Sequence, residues 1–210
     1  GVIMPLGYLQ QGQRVADQAE DNFSAGINVN HKINNAGGQL QLSTSQYGIA
    51  LASQGTNTTA IAGQWWISDI LVPYNRIVTD LNYLSGGTAT TTLMIVAIWD
   101  SYGRLVANTA VAGQVVATAN IWQVVALAQA SNPLGTAGTT ATTVKLLGPQ
   151  QYFMGVQTNN TTAGAIQTVA VASNWPNVTK LLAGTFGTVP TTITVPITQV
   201  DVVGGIFQLT

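Results

Sequence analysis

The chain has 210 residues, of which 46% are hydrophobic and only 6% are charged, and its formal net charge is −1 at pH 7. This length suits one domain with a full hydrophobic core, or one domain with an extended arm. Globular proteins usually carry roughly 25% charged residues, so Thr, Asn, Gln and Ser must supply most of this surface. No basic stripe exists to displace counterions from phosphates, and we expect no nucleic-acid partner.

Several classes of function are disfavoured by what the sequence lacks. It has no cysteine and a single histidine, His31, so disulfides and thiolate metal sites are excluded and zinc is disfavoured. Asp69, Asp80, Asp100 and Asp201 are far apart in sequence, whereas glycoside hydrolysis generally uses two carboxylates that flank the bond; a calcium site made by two of them with backbone carbonyls stays open. No apolar run reaches the ~18–20 residues of a transmembrane helix. We expect no enzyme, no cofactor and no membrane partner.

Residues 1–59 differ in character from the rest of the chain. Residues 12–23 hold three of the seven acids and place apolar side chains at roughly helical spacing, which favours a short helix. Short alternating stretches follow, and residues 54–59 are typical of a flexible linker. We interpret 1–59 as an extended N-terminal arm that pairs with a neighbouring chain or with the sandwich edge; a disordered polar tail is the alternative. The apolar residues of this arm are Phe23, Ile27, Val29, Ile33, Leu40 and Leu42.

From residue 60 onward the sequence is dense in strand patterns. Residues 93–99 are apolar on both faces, stop at Asp100-Ser101-Tyr102-Gly103 and restart at Leu105, which predicts a hairpin in the middle of a sandwich. Asp100 suits the start of the turn, and Gly103 supplies the positive φ that closes it. The other predicted strands are residues 64–67 leading into 70–73 with Pro73 at an end or edge, then 76–84, 121–127, 151–157, 168–171, 192–197 and 205–209, with a loop or weak edge strand at 134–143. Roughly eight or nine short strands predict one all-β, jelly-roll-like antiparallel β-sandwich over 60–210.

The five tryptophans are the candidates for sugar binding, because exposed aromatic faces stack on pyranose rings. Trp99 and Trp122 lie in apolar strands, and we expect them in the core. Trp65 and Trp66 are consecutive, so a strand directs one ring to each face, and we expect one of them to point outward or into an interface. Trp175 lies on a predicted loop and is the best single candidate for an exposed contact.

Four segments of the sandwich region resemble β-sandwich proteins of tailed-bacteriophage virions, of the capsid decoration (cement) or head-fibre type. They are VPYNRIVTDLNYLSGGT (72–88), LMIVAIWDSYGRLVANTAVAG (93–113), NIWQVV (120–125) and GPQQYFMGVQTNNTT (148–162). The resemblance covers roughly residues 60–165. It brings no catalytic residues with it.

The resemblance implies a non-enzymatic virion protein at the capsid surface. Its expected partners are other copies of the chain, as a trimer, and the major capsid protein. The low charge and the arm fit such a part, because arms that invade neighbours and closed symmetric assemblies stabilise virions. The rival class is a carbohydrate-binding or receptor-binding module that uses Trp175 and an outward Trp65 or Trp66 to contact a glycan.

Overall fold

The computed structural model describes residues 55–72, 74–88, 92–116, 118–130, 139–159, 164–170, 178–196 and 203–210. In these ranges every regular element is a β-strand, so the described part of the chain is all-β, as predicted. The arm residues Phe23, Ile27, Val29, Ile33, Leu40 and Leu42, the helix predicted at 12–23, His31 and Trp175 lie outside the described residues.

The described strands are short and follow one another closely along the chain. They are β1 (Thr56–Thr59), β2 (Trp65–Val72), β3 (Arg76–Val78), β4 (Leu81–Leu84), β5 (Leu93–Asp100), β6 (Leu105–Thr109), β7 (Gln114–Val115), β8 (Trp122–Gln123), β9 (Leu127–Ala130), β10 (Thr139–Thr140), β11 (Val144–Leu146), β12 (Gln150–Thr158), β13 (Ala165–Ala170), β14 (Thr179–Leu182), β15 (Val203–Gly205) and β16 (Phe207–Leu209).

The largest sheet is organised around β5. Its strand order is β10-β9-β6-β5-β12-β2-β14, with β7 paired to the start of β5. Neighbours run antiparallel, so that Gly155 of β12 lies between Ile67 of β2 and Ala97 of β5. Every residue of β5 after Leu93 is buried, which confirms the predicted strand that is apolar on both faces. The weak edge strand expected within 134–143 is β10, at the end of this sheet.

The turn between β5 and β6 forms as its residue types predict. One carboxylate oxygen of Asp100 accepts hydrogen bonds from the backbone N–H groups of Tyr102 and Arg104, both at 2.9 Å. The other oxygen accepts from the guanidinium of Arg104, at 2.6 Å from Nη2. Gly103 has a φ of 78°, the left-handed conformation that glycine adopts without steric cost. Asp100 therefore acts as a turn former.

One face of the large sheet packs against three smaller sheets. These have the strand orders β16-β4-β8, β11-β3 and β1-β13-β15. Trp66, Ile98 and Met154 of the large sheet share one buried cluster with Leu81 and Phe207 of the small sheets. Each such side chain contributes about 1.5–3 kcal/mol when it leaves water. This layered arrangement is that of a β-sandwich, while its jelly-roll connectivity stays a prediction.

The opposite face of the large sheet is covered by irregular chain. Trp65, Trp99 and Phe153 belong to a second buried cluster on this face, against which Phe186 and Val189 pack. We call residues 183–196, which supply most of this covering layer, the cover segment. It is attached by single hydrogen bonds: the indole N–H of Trp99 donates to Pro190 O at 2.9 Å, Leu105 N–H to Thr191 O at 2.8 Å, and Ile193 N–H to Gly103 O at 2.8 Å.

The strand predicted at 192–197 is wrong for the part that the structure describes. Only Thr192 makes a bridge, to Arg104, and residues 193–196 belong to no strand. Pro190 and Pro196 flank this stretch and lack the N–H that a sheet ladder needs. Its alternating apolar residues instead fill the second cluster, to which Ile193 and Val195 contribute.

Three further boundaries differ from the prediction. Residues 56–59, expected in a flexible linker, form β1, where Thr58 Oγ1 lies 2.7 Å from Thr168 Oγ1 of β13. The strand expected at 121–127 is divided between β8, which ends at Gln123, and β9, which begins at Leu127. The strand expected at 76–84 is divided between β3 and β4, because Thr79 N–H donates to Thr210 O at 2.7 Å, outside both strands.

The second cluster leaves no space at Gly155. Trp65 and Trp99 meet edge to face beside it, with ring centroids 5.3 Å apart. A Cβ at Gly155 would lie 3.0 Å from Trp99 Cζ3 and 3.0 Å from Ile67 Cγ1. Glycine in the middle of β12 is thus what lets the two indoles approach.

We predict that Gly155→Val lowers the free energy of unfolding by about 2–3 kcal/mol, because overpacking a dense core forces side chains off their rotamers. Gly87→Val is the control, since Gly87 is exposed and the nearest atoms to its Cβ would be 3.5 Å away or more. Urea unfolding of both variants and the parent checks this. Equal stability of the two variants would contradict it.

Candidate functional site

Both consecutive tryptophans are buried, which corrects the expectation that one points outward. Trp65 packs in the cluster beneath the cover segment, and Trp66 packs in the cluster between the sheets. The rings do alternate across β2, as the strand geometry requires. Both are enclosed because both faces of β2 are covered. Neither ring is available to stack on a sugar.

Of the other three tryptophans, the two that the structure describes differ in burial. Trp99 is fully buried, as predicted, and Trp122 is only partly buried. Trp175, the candidate for an exposed contact, lies outside the described residues.

The described carboxylates all make structural hydrogen bonds. Asp100 closes the hairpin turn, and Asp80 accepts from Thr79 Oγ1 at 2.6 Å. Asp69 accepts from Val178 N–H at 3.0 Å and from Gln151 Nε2 at 3.1 Å. Among the residues that the structure describes, no three His, Cys, Asp or Glu side chains are grouped so as to hold a metal ion.

The proton affinity of the Asp69 carboxyl is perturbed by its surroundings. Burial raises its pKa above the ordinary value of 3.8, against the opposing effect of hydrogen bonds from Val178, Gln151 and its own backbone. Asp69 N–H also donates to Val178 O at 3.1 Å. The carboxyl therefore anchors the backbone at Val178 to β2, where β14 begins.

The strands at one edge of the large sheet come from an uncharged stretch of the chain. Residues 105–144 contain no Asp, Glu, Lys, Arg or His. This stretch supplies β6 to β10 and most of the connections between them. Three valines of this stretch are exposed: Val111, Val115 (46%) and Val124 (56%). We call these three the valine surface.

The valine surface adjoins an apolar groove of about 380 Å³. The groove is lined by Ala110, Gly113, Gln114, Val125, Ala126, Leu127 and Ala128. Gly113 has a φ of 82°, which turns the chain from β6 into β7. Gln114 Nε2 then donates to Val124 O at 3.3 Å and holds Val115 and Val124 on neighbouring segments.

The valine surface and the adjoining groove are suited to burial against another protein. The cores of protein interfaces are depleted of charged residues and more apolar than their rims. Removing valine side chains and neutral backbone from water costs little compared with removing ions. The arrangement provides hydrophobic contact area and a recess, with no nucleophile or acid–base pair among its described residues.

Sequence reasoning noted the low charge of the whole chain but missed this surface. The absence of charge from 105–144 is visible in the sequence and was the available signal. What the sequence could not supply is the contact between Gln114 and Val124, which links the segments that carry Val115 and Val124.

Comparisons of the chain with protein families, with curated proteins and with solved structures found no match. Among the described residues, no helix has the length and apolar character needed to cross a membrane.

The raised pKa of Asp69 makes stability depend on pH. The folded carboxyl binds its proton more tightly than the unfolded one, so the free energy of unfolding falls as pH rises from about 3.8 to the higher folded pKa, and is constant above it. We predict that Asp69→Asn, which keeps an oxygen for Val178 N–H, removes this decline. Urea unfolding at pH values from about 4 to 7 measures it.

The control is Ile77→Ala, at an exposed position that carries no ionisable group. The stability difference between Asp69→Asn and the parent should change with pH in the stated direction, and that for Ile77→Ala should stay constant. A difference for Asp69→Asn that is constant over the whole range would contradict the assignment.

Proposed function

We propose that this chain is a non-enzymatic structural protein of a phage virion. It acts as a capsid decoration (cement) protein that forms a homo-oligomer, with a trimer as our first expectation, and that binds the major capsid protein and stabilises the head. The observation that supports this best is the valine surface and its groove. Both belong to the stretch of residues 105–144, which contains no charged side chain.

A surface without charge suits contact between identical chains. Like charges that meet at an interface cost several kcal/mol, so a charged patch needs a complementary patch on the second copy. Uncharged patches meet without this requirement, in either an isologous or a heterologous arrangement. The valine surface supplies apolar atoms for such a contact, and the groove lined by Val125 and Leu127 supplies a recess for a protruding side chain.

The N-terminal arm remains part of the proposal. β1, which ends at Thr59, pairs with β13 on one side and has no neighbouring strand on its other side among the described sheets. Unpaired sheet edges are templates for strands of other chains. We infer that pairing at this edge, together with residues 1–54, adds to the contacts between copies.

The rival function is a carbohydrate-binding module that uses an outward Trp65 or Trp66. Both side chains are buried in the core, so neither can bind a sugar. For Trp175 this function stays a prediction. The resemblance of the four sandwich segments to phage virion proteins favours the structural role.

We predict that Val115→Lys and Val124→Lys each weaken the oligomer by about tenfold or more, because a lysine there must be buried without a partner. Absolute mass by light scattering across a dilution series measures this. Ile77→Lys is the control, since Ile77 is exposed to 67% and lies outside both the charge-free stretch and β1. A full chain that is monomeric at micromolar concentration would overturn the oligomer.

The arm is tested by a chain that begins at Gly55 and so keeps β1. We expect its oligomer to be weaker than that of the full chain in the same dilution series, and its binding to heads assembled from the major capsid protein to be weaker as well. Binding to heads that is equal for the two chains would remove the arm from the proposal.

A further inference from the structure

The three central strands end together at one end of the sandwich. Tyr152 of β12 lies opposite Asp100 of β5, and Gln150 lies opposite Val72 of β2. The turn after β5, the chain after β2 and the chain before β12 are therefore neighbours. We call residues 74–75, 101–104 and 147–150 the loop end.

The loop end carries the two most exposed aromatic side chains of the described residues. Tyr102 is 74% exposed and Tyr74 is 56% exposed. Their strands, β5 and β2, are separated by β12 alone, so the strand axes lie about 10 Å apart and the two tyrosines follow strands at the same end of the sheet. Two exposed rings on neighbouring loops can each stack on a ring of one oligosaccharide.

The Tyr102 ring and the backbone of Tyr74 are held in place despite the exposure of both side chains. Tyr102 N–H donates to Asp100, and the guanidinium carbon of Arg104 lies 5.1 Å from the centre of the Tyr102 ring. Gly148 abuts the backbone of Tyr74 so closely that a Cβ would overlap it. Aromatic side chains that are ordered before binding lose little conformational entropy when a ligand stacks on them.

Neutral hydrogen-bonding groups belong to the same loop end as the two tyrosines. Gln150 Nε2 donates to Ser101 Oγ at 3.1 Å, which leaves the Ser101 hydroxyl proton and the Gln150 amide oxygen for other partners. Asn75 accepts from Gly148 N–H at 3.0 Å and keeps its amide N–H groups. Sugar hydroxyls both donate and accept, so this mixture matches them. Arg104 is neutralised by its ion pair with Asp100, which disfavours an anionic ligand.

We propose that the loop end binds a neutral saccharide containing pyranose rings, which stack on Tyr102 and Tyr74 and hydrogen-bond to Ser101, Gln150 and Asn75. This site does not depend on the proposed assembly role. β7, which carries Val115, pairs with the start of β5, whereas the loop end lies at its other end, about 26 Å away for a strand of this length.

The test is a printed array of bacterial and mammalian oligosaccharides, probed with the full chain and followed by calorimetric titration of the best ligand. We expect binding that Tyr102→Ala and Tyr74→Ala each weaken by about tenfold or more, as alanine substitution of stacking aromatics does. Tyr102→Phe keeps the ring and should remain within about threefold of the parent. Ile61→Ala, at the far end of β2, should bind as the parent does.

Thermal unfolding of each variant separates lost binding from lost structure, and both tyrosines are exposed enough that their truncation should leave the melting temperature unchanged. No binding to any oligosaccharide by the folded full chain would overturn the proposal. Binding that survives in both Tyr→Ala variants would overturn it too, as would binding of peptides by these tyrosines with no glycan bound. None of these outcomes alters the mass measured for the oligomer.

Discussion

The structure depends on covering both faces of three central strands. β5, β12 and β2 present large apolar side chains on each side, so a single sheet with one wet face is not available to this sequence. One face is covered by three small sheets and the other by the cover segment.

Inside the protein, neutral amide and hydroxyl side chains, rather than charged ones, satisfy the hydrogen bonds of buried backbone groups. Ser85 Oγ lies 2.9 Å from both Thr118 O and Ile121 O and its one proton is shared between these acceptors, while Gln123 Nε2 donates to Ser85 Oγ at 3.1 Å. Gln157 Nε2 reaches Gly63 O at 2.8 Å beneath the cover segment. A neutral hydrogen-bonded group is far less costly to bury than an ion. The same chemistry makes the outer surface inexpensive to bury against another chain.

Local signals predicted the parts of the fold that local interactions determine. The apolar run of β5 and the Asp100 turn are of this kind, since a turn is decided by residues four apart. β1 and the cover segment are not, because their partners lie in β13 and at the β5–β6 turn, far away in sequence. The burial of Trp65 and Trp66 also escaped prediction: alternation places rings on opposite faces but does not state whether a face is covered. The valine surface could be recognised only from contacts in the folded chain, such as that of Gln114 with Val124.

The cover segment has a consequence for how the molecule opens. It is joined to the sheet by separate hydrogen bonds rather than by a continuous ladder, so it can detach without breaking any pairing between central strands. Segments attached in this way open locally at lower free energy than the sheet they rest on. Backbone amides of residues 183–196 should thus exchange with deuterium before those of β5 and β12, and the Trp65–Trp99 pair would meet water while the rest of the sandwich is still native.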